Sequence, residues 1–306
     1  MLLCRPLKIV LTAMLLILSP EAAASPEENA GPQIVTTDAE RFYALYDEAK
    51  GELGGETLQR VYLDRGSPGL LHLAKSRRVS GASIALALQA RPQVYRNARL
   101  CLETLPNVKK RTAAAMTHLK QLYPAAHFPT ITIAVSHTKP VGMADAQGVQ
   151  ISLEALCATR YMNPDHEDRF VHVLVHEFAH SQQKGSVGEK ETPTVLEQAL
   201  LEGGAEFIAE LISGSPGNLG PFTLAKGRER EIESRFLIDM EKIDLSEWFF
   251  NGSNERPGDL GYWVGYRIVR SYYQRTTDKT KALEQIFHID DAADFLSRSG
   301  WHPGKG

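Results

Sequence analysis

Asp38 opens a stretch in which Phe42, Leu45 and Tyr46 recur at helical spacing, and amphipathic helical patterning returns over about 83–103 and 106–123 before Pro124 closes it. The first half of the chain is therefore expected to be helical. The period then falls to two: Ile131, Ile133 and Val135 alternate with Thr132, Ala134 and Ser136, and Val149, Ile151 and Leu153 alternate with Gln150 and Ser152. Such alternation predicts two half-buried strands. The segment between them carries Gly142 and Gly148; it is too long for a tight hairpin but short enough to join neighbouring strands. Helical patterning resumes from Asp165, over about 166–184, 194–213, 223–241 and 259–274.

One helix stands apart. Phe170, Val171, Val173, Leu174, Val175, Phe178 and Ala179 make it apolar nearly all round, as in a protein interior, yet it carries His176, Glu177 and His180. Burying two imidazoles and a carboxylate is costly without partners. The order His-Glu-x-x-His places both histidines on one side of the helix, one turn apart, where they can grip a single ion while Glu177 leans over an open coordination position. His172 lies a further turn back. At 1.5 Å rise per residue it is about 12 Å along the axis from His180, so the three cannot share one ion, and His172 reads as a bystander.

A catalytic zinc site needs a third protein ligand and leaves its fourth position to water. Glu202 and Glu206, one turn apart on the next strongly apolar helix, are the candidates, among Leu200, Leu201, Phe207, Ile208 and Leu211. Gly203 and Gly204 between them each cost about 0.8–1 kcal/mol relative to alanine in a helix interior. Two in succession predict close approach of a neighbouring backbone, expected to be the His176–His180 helix.

The motif followed about twenty residues later by a glutamate in Glu202-Gly-Gly-Ala-Glu-Phe207 resembles the gluzincin peptidases. More narrowly, Val173–His180, Glu202–Phe207 and Gly261–Ile268 are similar to a family of zinc-dependent proteases of bacteria, over about Tyr62 to Phe295. The resemblance implies an α+β fold, a mainly helical zincin-like metallopeptidase domain with a small β-sheet beside the His-Glu-x-x-His helix. It implies Zn²⁺ as cofactor, Glu202 as third ligand beside His176 and His180, and Glu206 as an acceptor orienting a ligand histidine. Hydrolysis would then use Glu177 as general base, with Tyr262 or Tyr266 donating to the developing oxyanion. The substrate class is a peptide or protein, which could add as an extra strand to an exposed edge of the two predicted strands. A zinc amidase acting on a cell-wall or other non-protein substrate uses the same machinery. A non-catalytic exported zinc-binding protein would not need Glu177.

The N-terminus changes where this chemistry is expected to operate. Arg5 and Lys8 precede an apolar run from Ile9 to Leu18, and Ala22-Ala23-Ala24 supplies a small-residue cleavage site, predicting a signal peptide over 1–24. A polar, breaker-rich leader over 25–36 follows, then one domain over 37–306, with a helical N-terminal half (37–125) and strands and metal-binding helices beyond (126–306). An exported chain, periplasmic or secreted, with no stable membrane insertion after cleavage is the expectation. Cys4 would leave with the signal, and in an oxidising compartment Cys101 and Cys157 either pair or sit apart as small buried residues. With 34 basic and 37 acidic residues the chain offers no charge signature of a nucleic-acid partner.

Overall fold

The computed structural model describes residues 31–160, 162–214 and 217–305. The predicted signal peptide and all of the leader before Gly31 lie outside the described residues. Ile34 and Val35, at the end of that leader, form a short strand, β1, paired in parallel with Ile131 and Thr132. The sheet thus begins before Thr37.

The elements that follow are α1 (Thr37–Glu48), α2 (Gly55–Thr57) continuing into a π-helical stretch (Leu58–Leu63), α3 (Pro68–Arg77), α4 (Gly81–Ala90) and α5 (Pro92–Leu122). Then come β2 (Ile131–Ala134), β3 (Gly142–Asp145), β4 (Gly148–Ser152), α6 (Leu153–Ala158), α7 (His166–Gln182) and α8 (Val195–Ser213). The chain ends with α9 (Leu219–Ala225), α10 (Glu229–Asp239), α11 (Leu260–Arg275), α12 (Lys279–Phe287) and α13 (Ala292–Ser299). This is a mainly helical α+β architecture with one small sheet. No described helix is long and apolar enough to cross a membrane.

Local chemistry explains several boundaries. Pro92 starts α5, where its missing N–H costs nothing, whereas Pro106 sits inside the same helix rather than starting a new one. Thr36, not Asp38, occupies the cap of α1. Asp38 is buried instead and accepts hydrogen bonds from Arg41 and from the backbone N–H and hydroxyl of Ser67. Helix α8 opens with a reciprocal cap between Thr194 and Glu197 and ends at Gly214 in the left-handed conformation.

The sheet order is β1-β2-β4-β3, with β2 and β4 parallel and β3 antiparallel at the edge. Two expectations change here. The segment between the alternating runs is itself strand β3, joined to β4 by a tight turn at Asp145–Gly148, so the available edge is β3 rather than β2 or β4. The alternating positions are also not half-exposed: Thr132, Gln150 and Ser152 are as buried as the aliphatic residues beside them. Gly69 of α3 accounts for one case, since a Cβ there would fall 2.0 Å from the Thr132 hydroxyl. Helices cover the polar positions of the pattern, as they do in sheets closed on both faces.

Tyrosines and a buried acid fix the chain between β2 and β3. Tyr62 and Tyr95 donate to the carbonyls of Val135 and Ser136 at 2.8 and 2.9 Å. Glu154, wholly buried, accepts from the Ser136 hydroxyl and the Thr138 N–H, each at 2.9 Å. Cys101 of α5 and Cys157 of α6 are joined in a disulfide, which settles the alternative left open by their sequence. With a sequence separation of 56, the link removes loop entropy from the unfolded chain worth about 4 kcal/mol in the chain-entropy account.

Helices α8 and α11 meet at glycine on both sides. A Cβ on Gly203 would lie 2.1 Å from the Tyr266 nitrogen, and one on Gly265 would lie 1.8 Å from the Ala199 carbonyl oxygen. The close neighbour of Gly203 is therefore α11, not the histidine helix, while Gly204 faces the Gln183 amide just beyond the end of α7. Gly265→Ala should force the two helices apart and lower stability by about 1–3 kcal/mol or more, read as a lower urea midpoint. An unchanged midpoint would show that this contact is not tight.

Candidate metal centre

Helix α7 starts at Asp165, whose carboxylate accepts the Asp168 N–H at 2.9 Å, and runs through the core beside α5, α8 and the sheet edge. One turn apart on it, His176 and His180 bring their Nε2 atoms to 3.1 Å. Glu202 enters from α8 with Oε2 at 3.4 Å from His176 Nε2 and 3.3 Å from His180 Nε2. Ligand atoms of a tetrahedral Zn²⁺ with bonds of about 2.0–2.1 Å are spaced by about 3.3 Å. The three donors therefore stand at the separations one zinc ion requires, and two imidazoles with a carboxylate are a donor set that suits it.

Each donor is held by a further side chain. Gln183 Oε1 lies 2.7 Å from His180 Nδ1, and its amide nitrogen donates to the Leu201 carbonyl at 2.8 Å, which leaves His180 Nε2 free to face the centre. Gln198 donates to the second oxygen of Glu202 at 2.9 Å. Glu206 lies between two histidines, with Oε1 3.3 Å from His176 Nδ1 and Oε2 2.9 Å from His172 Nε2. The first contact is poorly aligned as a hydrogen bond, the second well formed. His172 is thus not idle: it binds the carboxylate that backs His176.

The charges are consistent with a cation at the centre. Burial opposes protonation of His176, but Glu202 and Glu206 outweigh it and hold its pKa well above the usual imidazole range. His180 is likewise disfavoured as a cation by burial and raised on balance by Glu202. Burial also works against the charged carboxylates, yet the histidines push Glu202 far below the usual range and Glu206 down to about 2. Both acids are therefore anionic at neutral pH, and metal and proton compete for the same imidazole nitrogens.

Glu177 lines the same cavity of about 630 Å³, with Gly142, Met143, Phe250, Asp259 and Tyr262 on its other walls. Burial raises the Glu177 pKa, with the nearby histidines opposing. The edge strand passes so close that a Cβ at Gly142 would lie 2.6 Å from Glu177 Oε1, so only glycine leaves the carboxylate its place. Tyr262 stacks beside His176 at 6.2 Å between ring centroids, and burial with Glu202 nearby raises its pKa well above the ordinary phenol value. It stays protonated and able to donate. Tyr266 does not reach the cavity: it packs between Phe207 and Phe222, near Glu210. Four residues, about 6 Å along α11, separate the two tyrosines, and only the first lines the cavity.

Of the residues singled out from sequence, His176, Glu177, His180, Glu202, Glu206 and Tyr262 come together, and Tyr266 does not. Gln183, Gln198 and Gly142 were missed. Gln198 precedes Glu202 by four residues and Gln183 follows His180 by three, spacings at which helical side chains meet; Gly142 carries no comparable signal. Residues 109–291, well over half of the chain, match the family described as "Predicted Zn-dependent protease (DUF2268)". No curated protein and no solved structure matches the chain.

Proposed function

We propose, because the chain belongs to the family of predicted Zn-dependent proteases, that it is an exported gluzincin-type peptidase whose zinc is held by His176, His180 and Glu202. The observation that carries the reading is the triangle of donor atoms, 3.1–3.4 Å on each side, in the cavity that also holds Glu177. When bound there, zinc supplies Lewis acidity, which polarises the scissile carbonyl and lowers the pKa of water. Glu177 takes the proton of the attacking water and delivers it to the departing amine. The Tyr262 hydroxyl donates to the oxyanion that develops on the carbonyl oxygen. Gln183, Gln198 and Glu206 keep the ligand side chains aimed while this happens. Strand β3 supplies an edge along which an extended peptide can lie, with Gly142 leaving room beside Glu177. Export rests on the N-terminal sequence.

The test is zinc content and chelator-sensitive cleavage of unfolded protein substrates by the purified mature chain. A chain that binds no zinc, or cleaves equally well after chelation, does not work this way.

Glu202 and Glu206 should separate on mutation. Glu202→Gln removes a donor and should lose most of the zinc, whereas Glu206→Gln should weaken zinc affinity or activity by about 10- to 100-fold, as for an outer carboxylate. Metal titration of both variants checks this, and an equal or larger loss at Glu206 would reverse the two roles.

The pH profile has a sign as well. Glu177 must be ionised to accept a proton, and its raised pKa means the ionised fraction is lost as pH falls, starting above the range of an ordinary glutamate. The acid limb of kcat/KM is therefore expected above about pH 4.3, the unperturbed value. A limb below it would show that Glu177 is not the group titrating.

A further inference from the structure

Away from the metal centre, a second cavity of about 710 Å³ opens beside the first turn of α7, with Arg160, His166, Arg169, Asn254 and Glu255 among its lining residues. Arg169 is only 3 % exposed, yet no carboxylate among the described residues lies in ion-pair contact with it. Its Nη1 donates to the Thr159 carbonyl, its Nη2 reaches the Cys157 carbonyl at a long 3.4 Å, and its Nε has no partner. The acids nearest in sequence are engaged elsewhere: Glu167 and Asp168 both pair with Arg111, at 2.8 and 2.7 Å, and Asp165 caps the helix.

A buried guanidinium with one edge unused is a costly arrangement unless something anionic meets it. Nε is unpartnered and Nη2 makes only the long contact to the Cys157 carbonyl, and these two donors run parallel, spaced to match two oxygens of one oxyanion. Arg160, exposed at the rim, adds a second cation, and its backbone N–H is fixed by the Asn254 side chain at 2.6 Å. Burial, then the neighbouring Arg169, depress the His166 pKa, with Asp165 opposing. Against these cations stand two carboxylates, the exposed Glu255 and Asp165, whose charge acts on both Arg169 and His166.

We propose that this cavity binds a small oxyanion, the phosphate or carboxylate group of a ligand, through the Nε and Nη2 edge of Arg169 with Arg160 at the mouth. Arg169 lies seven residues before His176, about 10 Å along α7, so the site is separate from the metal centre and does not depend on the peptidase reading.

Thermal unfolding of the mature protein in inorganic phosphate and in acetate, each against chloride at equal ionic strength, tests it. The expected result is a saturable rise in Tm of about 3 °C with one or both anions at roughly ten times Kd. Phosphate alone would identify a tetrahedral anion, acetate a carboxylate. The rise should vanish in Arg169→Gln, fall at least tenfold in apparent affinity in Arg160→Glu, and persist in His180→Ala, which has lost a metal donor. If Arg169→Gln does not fold, Arg160→Glu decides, because its side chain is exposed. No rise with either anion overturns the proposal. So does a rise that survives in Arg160→Glu but disappears in His180→Ala, which would place the anion at the metal instead.

Discussion

Glu177→Gln should retain its zinc and lose its turnover. The substitution keeps the shape of the side chain, so the amide fits under Gly142 where the carboxylate sits now, and none of the three metal donors is touched. What disappears is the carboxylate that the proposed mechanism uses to accept a proton from water and pass it on. Loss of a general base typically costs 10²- to 10⁴-fold, or about 3–5 kcal/mol in the barrier. Substrate affinity should change little, because the glutamine still fills the same corner of the cavity. Parallel measurements of zinc content, kcat and substrate Kd check this. A zinc-loaded glutamine variant that cleaves as fast as wild type would remove Glu177 from the mechanism.

His180→Ala should have the opposite signature: little zinc, and no activity to recover by raising substrate. His180 supplies one apex of the donor triangle, and its Nε2 is 3.1 Å from His176 Nε2 and 3.3 Å from Glu202. Without it, one imidazole and one carboxylate remain, too few to hold a catalytic zinc against competing water and protons. Metal analysis after desalting should fall from about one zinc per chain toward none, with the far-UV spectrum preserved. A folded His180→Ala protein that stays fully zinc-loaded would show that the ion is held by another set, such as His172, His176 and Glu206, whose donor atoms also lie close together.

The histidine helix and the glutamate helix were legible because their chemistry is local. His176 and His180 share a face by helical geometry alone, and the apolar residues around them could belong only to a buried helix. The rest of the site depends on residues far apart in sequence. Gly142 reads as a loop glycine between two strands, and only the antiparallel pairing of β3 with β4 brings it against Glu177. Tyr262 and Tyr266 follow similar glycines and look equivalent in sequence, but the contact of Gly265 with Ala199 fixes α11 so that the first faces the cavity and the second an aromatic cluster. The period-two alternation located the strands but misjudged their burial, because nothing in Thr132 or Gln150 announces that helices will cover them.

By itself, then, the sequence indicated the helical character of the chain, the position of strands β2 and β4, and His176, His180 and Glu202 as candidate metal ligands on two apolar helices. Periodicity and spacing within one helix are properties of a short stretch of backbone, and residues three or four apart meet whatever surrounds them. Tertiary structure decided which edge of the sheet borders the site, that Cys101 and Cys157 pair, that α8 packs on α11 through paired glycines, and that His172 backs Glu206. Those outcomes follow from close packing between elements distant along the chain, where the shape of one surface selects its neighbour and no local pattern encodes the choice.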